Sequence, residues 1–293
     1  MTKPPMVILS PVAPDPVHHE PGSAVFSLFP ALRESFEILF AGFSPDGIRT
    51  QAQPGLSQLC RSLLLLLLIF PASLMAQSAS SSWPPLASGE RLTFNLLWPS
   101  GISFGEAFLE ASRVGEQIHL KATVVAELPQ HRVSYSFTSI TDQQLCSIRF
   151  NETLREGQKT TETSSEFDQE KHVVRSTRAG ATTEHAIPAC ARDPLALHYH
   201  FRRQLALGQV PIGTPEAVGA FYLGGDYAVR YEAITPESVK LGSKEWEGQR
   251  FLITARGSSG ERSFEMWLRP DDARTPVAIR IPFSLATFSA ELQ

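Results

Sequence analysis

From Leu92 to the C-terminus the apolar residues recur at every second position, and that period limits what the chain can fold into. The plainest case lies near the end. Phe264, Met266 and Leu268 alternate with Glu265 and Trp267, a turn follows as Pro270-Asp271-Asp272-Ala273-Arg274-Thr275-Pro276, and Val277, Ile279 and Ile281 alternate again. Two alternating runs about a turn of this composition form a hairpin signature. A last run over 285–292 sets Leu285, Thr287, Ser289 and Glu291 on one side and Ala286, Phe288, Ala290 and Leu292 on the other. The chain is therefore expected to end within a strand, and these closing strands form the frame onto which the rest packs.

Upstream, Leu92, Phe94, Leu96 and Trp98 alternate with Arg91, Thr93 and Asn95, and Pro99-Ser100-Gly101 turns the chain into a second strand over 102–111. Gly105 inside it marks a bulge or a close backbone approach. Further strands are expected at 117–127, 133–142, 145–154, 159–167 and 172–178, then at 217–223, 227–234, 238–241 and 249–256. Turn residues Gly115, Gly157, Gly180, Gly224-Gly225 and Gly257-Ser258-Ser259-Gly260 separate several of them. The run 159–167 is nearly all polar, with Thr160, Thr161, Thr163, Ser164 and Ser165. Such a run suits an exposed edge or a strand with two solvated faces, and Glu162, Glu166 and Asp168 discourage pairing with other chains.

One segment breaks the period. Asp193 before Pro194 is an N-cap with Pro at the first helical position, apolar residues follow from Leu195 to Leu207, and Gly208 ends the segment. This predicts one helix, with Arg202 and Arg203 meeting the negative end of its dipole. Its apolar face must lie across a sheet. The resulting fold class is mainly β: an antiparallel curled sheet or half-open β-barrel of about a dozen strands with one helix packed across it.

Compartment is read from the first third of the chain. Residues 1–58 carry irregular Pro and Gly and are expected to be disordered or a mis-assigned extension. Arg61 then introduces eight consecutive apolar residues, 63–70, followed by Pro71, Ala72, Ser73 and Ala76. That run is too short to span a bilayer and has the basic flank and small-residue exit of a secretory signal. The expectation is a signal peptide over 59–79 with cleavage between Ala76 and Ala79, translation beginning nearer residue 50, a linker over 80–88 and a β-rich domain over 89–293. The competing reading is a cytoplasmic core helix. Cys60 precedes the apolar run, so it is not a lipidated residue. Cys146 and Cys190 remain, either as a disulfide suited to an oxidising compartment or as two buried thiols.

Chemistry is sparse. A net charge of -4 with signs interleaved leaves no basic face for nucleic acid. His198 and His200 stand two apart on a helix and point to different faces, which makes them poor co-ligands for one metal. Asp271 and Asp272 are a carboxylate pair in a turn, where turn chemistry outweighs acid and base roles, and Arg274 is placed to bridge to either. No nucleophile motif or phosphate-binding loop is present, and neither a cofactor nor a metal is expected. Trp98, Phe104, Tyr199, Phe201 and Trp267 are the aromatic residues proposed to line any cavity that a curled sheet encloses.

Three separated motifs carry a resemblance. Gly89-Glu90-Arg91-Leu92-Thr93-Phe94 with Trp98, Gly101-Ile102 and Gly105-Glu106-Ala107 comes first, and Asp193-Pro194-Leu195 through Tyr199, Phe201 and Arg202 to Gly208 second. Met266-Trp267-Leu268, Asp271 to Val277 and Ala290-Glu291-Leu292 complete the set. Over residues 88–292 the chain resembles the bacterial family known as domain of unknown function 3108. The resemblance implies an exported, β-rich envelope protein without catalytic residues to carry over.

The expectation is a periplasmic or secreted non-enzymatic protein, without a membrane span in its mature chain, that holds a lipid or other hydrophobic small molecule. The first alternative is a scaffolding envelope protein that binds another protein through an exposed strand edge such as 159–167. The second is a hydrolase using Asp271, Asp272 or His198.

Overall fold

The computed structural model describes residues 83–128, 131–210, 216–222, 225–234, 236–241, 244–257, 260–282 and 287–293. The extension, the signal segment with Cys60, residues 80–82, Gly224, Ser258, Ser259 and Leu285 lie outside the described residues. The elements in chain order are α1 (Pro84–Ala87), β1 (Glu90–Leu97), β2 (Ser103–Val114), β3 (Gln117–Leu128), β4 (His131–Thr141), β5 (Ser147–Glu156), β6 (Lys159–Asp168), β7 (Val173–Arg178) and β8 (Ala181–Ala186). There follow α2 (Pro194–Ala206), β9 (Glu216–Tyr222), β10 (Asp226–Ala233), β11 (Glu237–Leu241), β12 (Lys244–Gly257), β13 (Gly260–Leu268), β14 (Pro276–Pro282) and β15 (Thr287–Leu292).

All pairings are antiparallel, in the order β8-β7-β6-β5-β4-β3-β2-β1-β15-β14-β13-β12-β10-β9, with β11 folded back onto the start of β12. The closing strand does what its alternation suggested. β15 sits between β1 and β14, with Phe94 opposite Leu292 and Ile281 opposite Phe288, so the last residues join an N-terminal and a C-terminal meander into one sheet. β8 and β9 end the order unpaired with each other, which leaves the sheet an open half-barrel.

Inward residues of both meanders and one face of α2 form a continuous core that includes Phe94, Leu120, Phe137, Phe150, Leu195, Phe251 and Met266. Burial of this apolar surface is the main stabilising term. α2 packs over β3 and β4 and beside β9. Its ends follow the local chemistry. Asp193 caps the N-terminus, Pro194 takes the first position, and Gly208 (φ +67°) continues past Leu207 while Gln209 N donates to Gln204 O at 2.9 Å. Trp83 and Leu86, in the described part of the stretch read as a linker, are buried in the core around α1. Their indole and isobutyl groups have a pocket to fill beside α2, which composition alone did not reveal.

Gly105 combines both of its expected roles. Leu96 pairs with Gly105 but Leu97 pairs with Ser103, so Phe104 is the extra residue of a bulge and its ring turns into the core. A Cβ on Gly105 would stand 2.1 Å from the carbonyl oxygen of Val125 on β3. Gly105→Ala is therefore expected to lower unfolding free energy by about 1–3 kcal/mol, the range for forced overpacking. A urea midpoint unchanged from the parent would contradict the close approach.

Of the two places open to the polar run 159–167, the structure excludes the edge. β6 is paired on both sides, with β5 and β7, and the edge is β8, which carried no apolar alternation and was not anticipated. On the outer face, Arg149, Glu166, Arg175 and Glu184 stand opposite one another across four strands, with Arg149 to Glu166 at 3.0 Å and Arg175 to Glu184 at 2.7 Å. Exposed pairs of this kind contribute little each. Phe167 and Val174 supply the buried inner face at this end.

Candidate functional site

A cavity of about 90 Å³ lies between the inner face of the sheet and the first turns of α2. Its walls come from both meanders: Phe94 and Leu96 of β1, Phe104 of β2, Met266 of β13, Ile279 of β14 and Phe288 of β15. The space has an identifiable cause. Ala107, Ala255 and Ala290 occupy inward positions on three different strands and line the same volume, where larger side chains would have filled it. Leu195, Leu197 and His198 of α2 close it from above.

The roof is held rigidly. Asp193 Oδ1 accepts the backbone N–H groups of Leu195 and Ala196 at 2.9 and 3.0 Å, and Oδ2 accepts the hydroxyls of Ser139 and Ser147 at 2.6 Å each. Burial pushes the Asp193 carboxyl up, opposed by these hydrogen bonds. The cap thus ties α2 to β4 and β5 as well as ending its own backbone. At the other end, the wholly buried Arg202 donates to both oxygens of Glu90 at 2.7 and 2.6 Å and to the carbonyls of Arg274 and Ala273 at 3.0 Å each. Tyr199 gives its hydroxyl to Glu90 at 3.0 Å. Arg203 donates to the carbonyls of Gln143 and Gln144. The two arginines read as dipole partners are therefore cross-braces to distant segments, which a helix pattern does not disclose.

His198 is the imidazole on the cavity wall. Burial, and then the charge of Arg202, push its pKa down to about 3, and its Nε2 has no hydrogen-bond partner among the described residues. His200 does not line the cavity, and burial with Arg192 and Arg203 nearby pushes it down to about 4. The described residues contain no group of three or more His, Cys, Asp or Glu placed to hold a metal.

Of the five aromatic candidates, Phe104 lines the cavity. Trp98 stands behind the wall, 4.8 Å from the Phe104 ring and 4.9 Å from that of Phe288. Tyr199 faces Trp83 and Glu90, away from the cavity, and Phe201 is stacked on Tyr231 at 3.6 Å. Trp267 is on the opposite face of the sheet, packed with Val239, Leu241, Val277 and Ala278 beneath β11. Strand parity explains the exchange, since Met266 and Leu268 point inward and Trp267 between them cannot. Its indole donates to Glu237, and Arg250 and Arg280 flank the ring at 5.2 and 4.7 Å.

Asp271 and Asp272 do turn work. Asp271 Oδ1 accepts Thr275 N at 2.9 Å, and the Asp272 carbonyl accepts the Trp83 indole at 2.9 Å. The arginine beside Asp271 is Arg269, at 3.6 Å, rather than Arg274, whose Nε is unpartnered among the described residues. Cys146 and Cys190 form a disulfide. No helix among the described residues is long and apolar enough to cross a membrane.

A family profile described as protein of unknown function (DUF3108) matches residues 91–293. The structure is similar to that of a β-barrel-like protein of domain of unknown function DUF1849 from Brucella abortus. The identity is 11%, the match covers 69% of this chain and 94% of that one, and the TM-score is 0.51, a likeness of fold alone. A candidate lipoprotein of Parabacteroides distasonis aligns at 8% identity over 69% of this chain and 92% of its own, with a TM-score of 0.25. No curated protein matches the sequence.

Proposed function

Because the chain belongs to the DUF3108 family, whose description assigns no activity, function has to be read from the site, and we propose a non-enzymatic exported protein of the cell envelope that holds a hydrophobic ligand. The carrying observation is the apolar cavity bounded by both meanders and α2, with three alanines where core side chains would otherwise meet. The Cys146 to Cys190 disulfide supports an extracytoplasmic setting, in which such bonds persist, and a periplasmic or secreted location is part of the same proposal. A volume of about 90 Å³ admits the end of an acyl chain rather than a whole lipid. For scale, an engineered apolar cavity of about 150 Å³ takes benzene. The open sheet, unpaired between β8 and β9, allows the walls to part around a longer chain.

The test is native mass spectrometry of protein purified without denaturation, followed by organic extraction and binding of N-phenyl-1-naphthylamine. Ala107→Leu and Ala290→Leu fill the cavity from different strands, and each is expected to weaken probe binding at least tenfold, a loss of about 1.4 kcal/mol. Thermal stability should be kept, since such fillings commonly stabilise. Undiminished binding in both variants would place the ligand elsewhere. A second reading, a scaffold pairing with another protein, is favoured by the edge strand β8, whose side chains are nearly all exposed. A ligand-free parent that does not bind the probe would favour it.

A further inference from the structure

An apolar cavity with one unpartnered polar atom on its wall selects for ligand chemistry. Among the buried side-chain nitrogens and oxygens without a partner in the described residues, His198 Nε2 is the one that belongs to a cavity-lining residue. Of the other polar side chains on the wall, Ser289 gives its hydroxyl to Glu291 at 3.2 Å, while Tyr231, whose phenol burial keeps protonated, has its ring stacked on Phe201, and its hydroxyl is the rival contact that Tyr231→Phe tests. Arg202, one turn along α2, is consumed by Glu90 and two carbonyls.

A buried imidazole nitrogen without a hydrogen bond is destabilising, so an apolar residue at position 198 would make a more stable protein. Taking the cavity as the ligand site, and so resting on the reading above, we infer that the ligand is an uncharged amphiphile whose hydroxyl or ester carbonyl hydrogen-bonds His198 Nε2 while its alkyl part enters the cavity. A neutral imidazole has one donor and one acceptor nitrogen, and a hydroxyl matches either tautomer. Because His198 stays neutral to about pH 3, it offers no counter-charge to a carboxylate or phosphate. Burying such an anion against Phe94, Leu96 and Phe104 would be costly without one.

The experiment compares 1-hexanol with n-hexane by displacement of N-phenyl-1-naphthylamine and follows the His198 Nε2 nitrogen-15 resonance. Without a partner, desolvation of the hydroxyl makes hexanol the weaker ligand. Hexanol is instead expected to bind about tenfold more tightly than hexane and to shift the Nε2 resonance, which hexane does not. In His198→Leu the preference should vanish or reverse while hexane affinity is kept and the melting temperature rises; Tyr231→Phe should leave the preference intact. If neither molecule displaces the probe, the cavity reading falls and this inference with it. If both bind equally, or the preference disappears in Tyr231→Phe alone, the cavity reading stands and the role of His198 is overturned. The wild-type preference and resonance shift decide the matter even where a variant fails to fold.

Discussion

Replacing Arg202 by Met is expected to cost about 3–5 kcal/mol of unfolding free energy, the largest single-residue effect in the molecule. The reason is what the substitution leaves behind. Glu90, with a side chain only 8% exposed, keeps a hydrogen bond from Tyr199 and loses both guanidinium contacts, and the carbonyls of Ala273 and Arg274 lose their donor. A lysine in its place reaches one of these acceptors as a point charge and cannot reproduce the fork, so Arg202→Lys should recover little. The double variant Glu90→Leu with Arg202→Met removes charge from both sides and is expected to be more stable than Arg202→Met alone. Urea unfolding of the three variants and the parent measures this. A loss below about 1 kcal/mol in Arg202→Met would mean that water replaces the arginine, and the bracing role would have to be abandoned.

This same contact joins the three stretches, far apart in sequence, that carry the family resemblance. Glu90 comes from the first, Tyr199 and Arg202 from the second, and the carbonyls of Ala273 and Arg274 from the third, and they meet in one buried cluster roofed by Trp83. The start of β1, the helix and the β13–β14 turn are thereby fixed to one another across separations of up to 112 residues.

What was legible from the sequence is what local chemistry determines. Period-two alternation located most strands, and Asp193, Pro194 and Gly208 marked the ends of α2. What was not legible depends on partners remote in the chain. A polar strand has the same composition whether its faces are solvated or its edge is free, so the run 159–167 suits either place, and sheet order gives the edge to β8 and an interior position to the largely solvated β6. β8 itself, Ala-Thr-Thr-Glu-His-Ala, has no apolar parity and is a strand because β7 pairs with it. Aromatic type suggested Trp267 for the cavity, yet the parity of Met266 and Leu268 already excluded it. The alanines that make the cavity carry no sequence signal of their own, because a small residue in a strand looks unremarkable until three of them face one volume.

Replacing both cysteines, Cys146→Ala with Cys190→Ala, is expected to cost about 4 kcal/mol by the chain-entropy relation for a bridge closing a loop with a separation of 44 residues. That loop contains β5 to β8, the end of the sheet poorest in buried side chains, so the unfolded chain gains most of its freedom there. The native junction does not depend on the bridge alone. Ser147 N donates to Ala191 O at 3.0 Å, Gln169 donates to the carbonyls of Ser147 and Ala191 and accepts from Ala191 N, and Ser147 bonds Asp193. The folded state of the cysteine-free variant should therefore keep its helix, its cavity and its affinity for N-phenyl-1-naphthylamine, while its denaturation midpoint falls. Reduction of the parent should reproduce that fall, which distinguishes loss of the bridge from loss of cysteine packing. If the double variant instead loses probe binding while still folded, the bridge shapes the site directly, and the division between a rigid roof held by Asp193 and a tether acting through the unfolded chain is wrong.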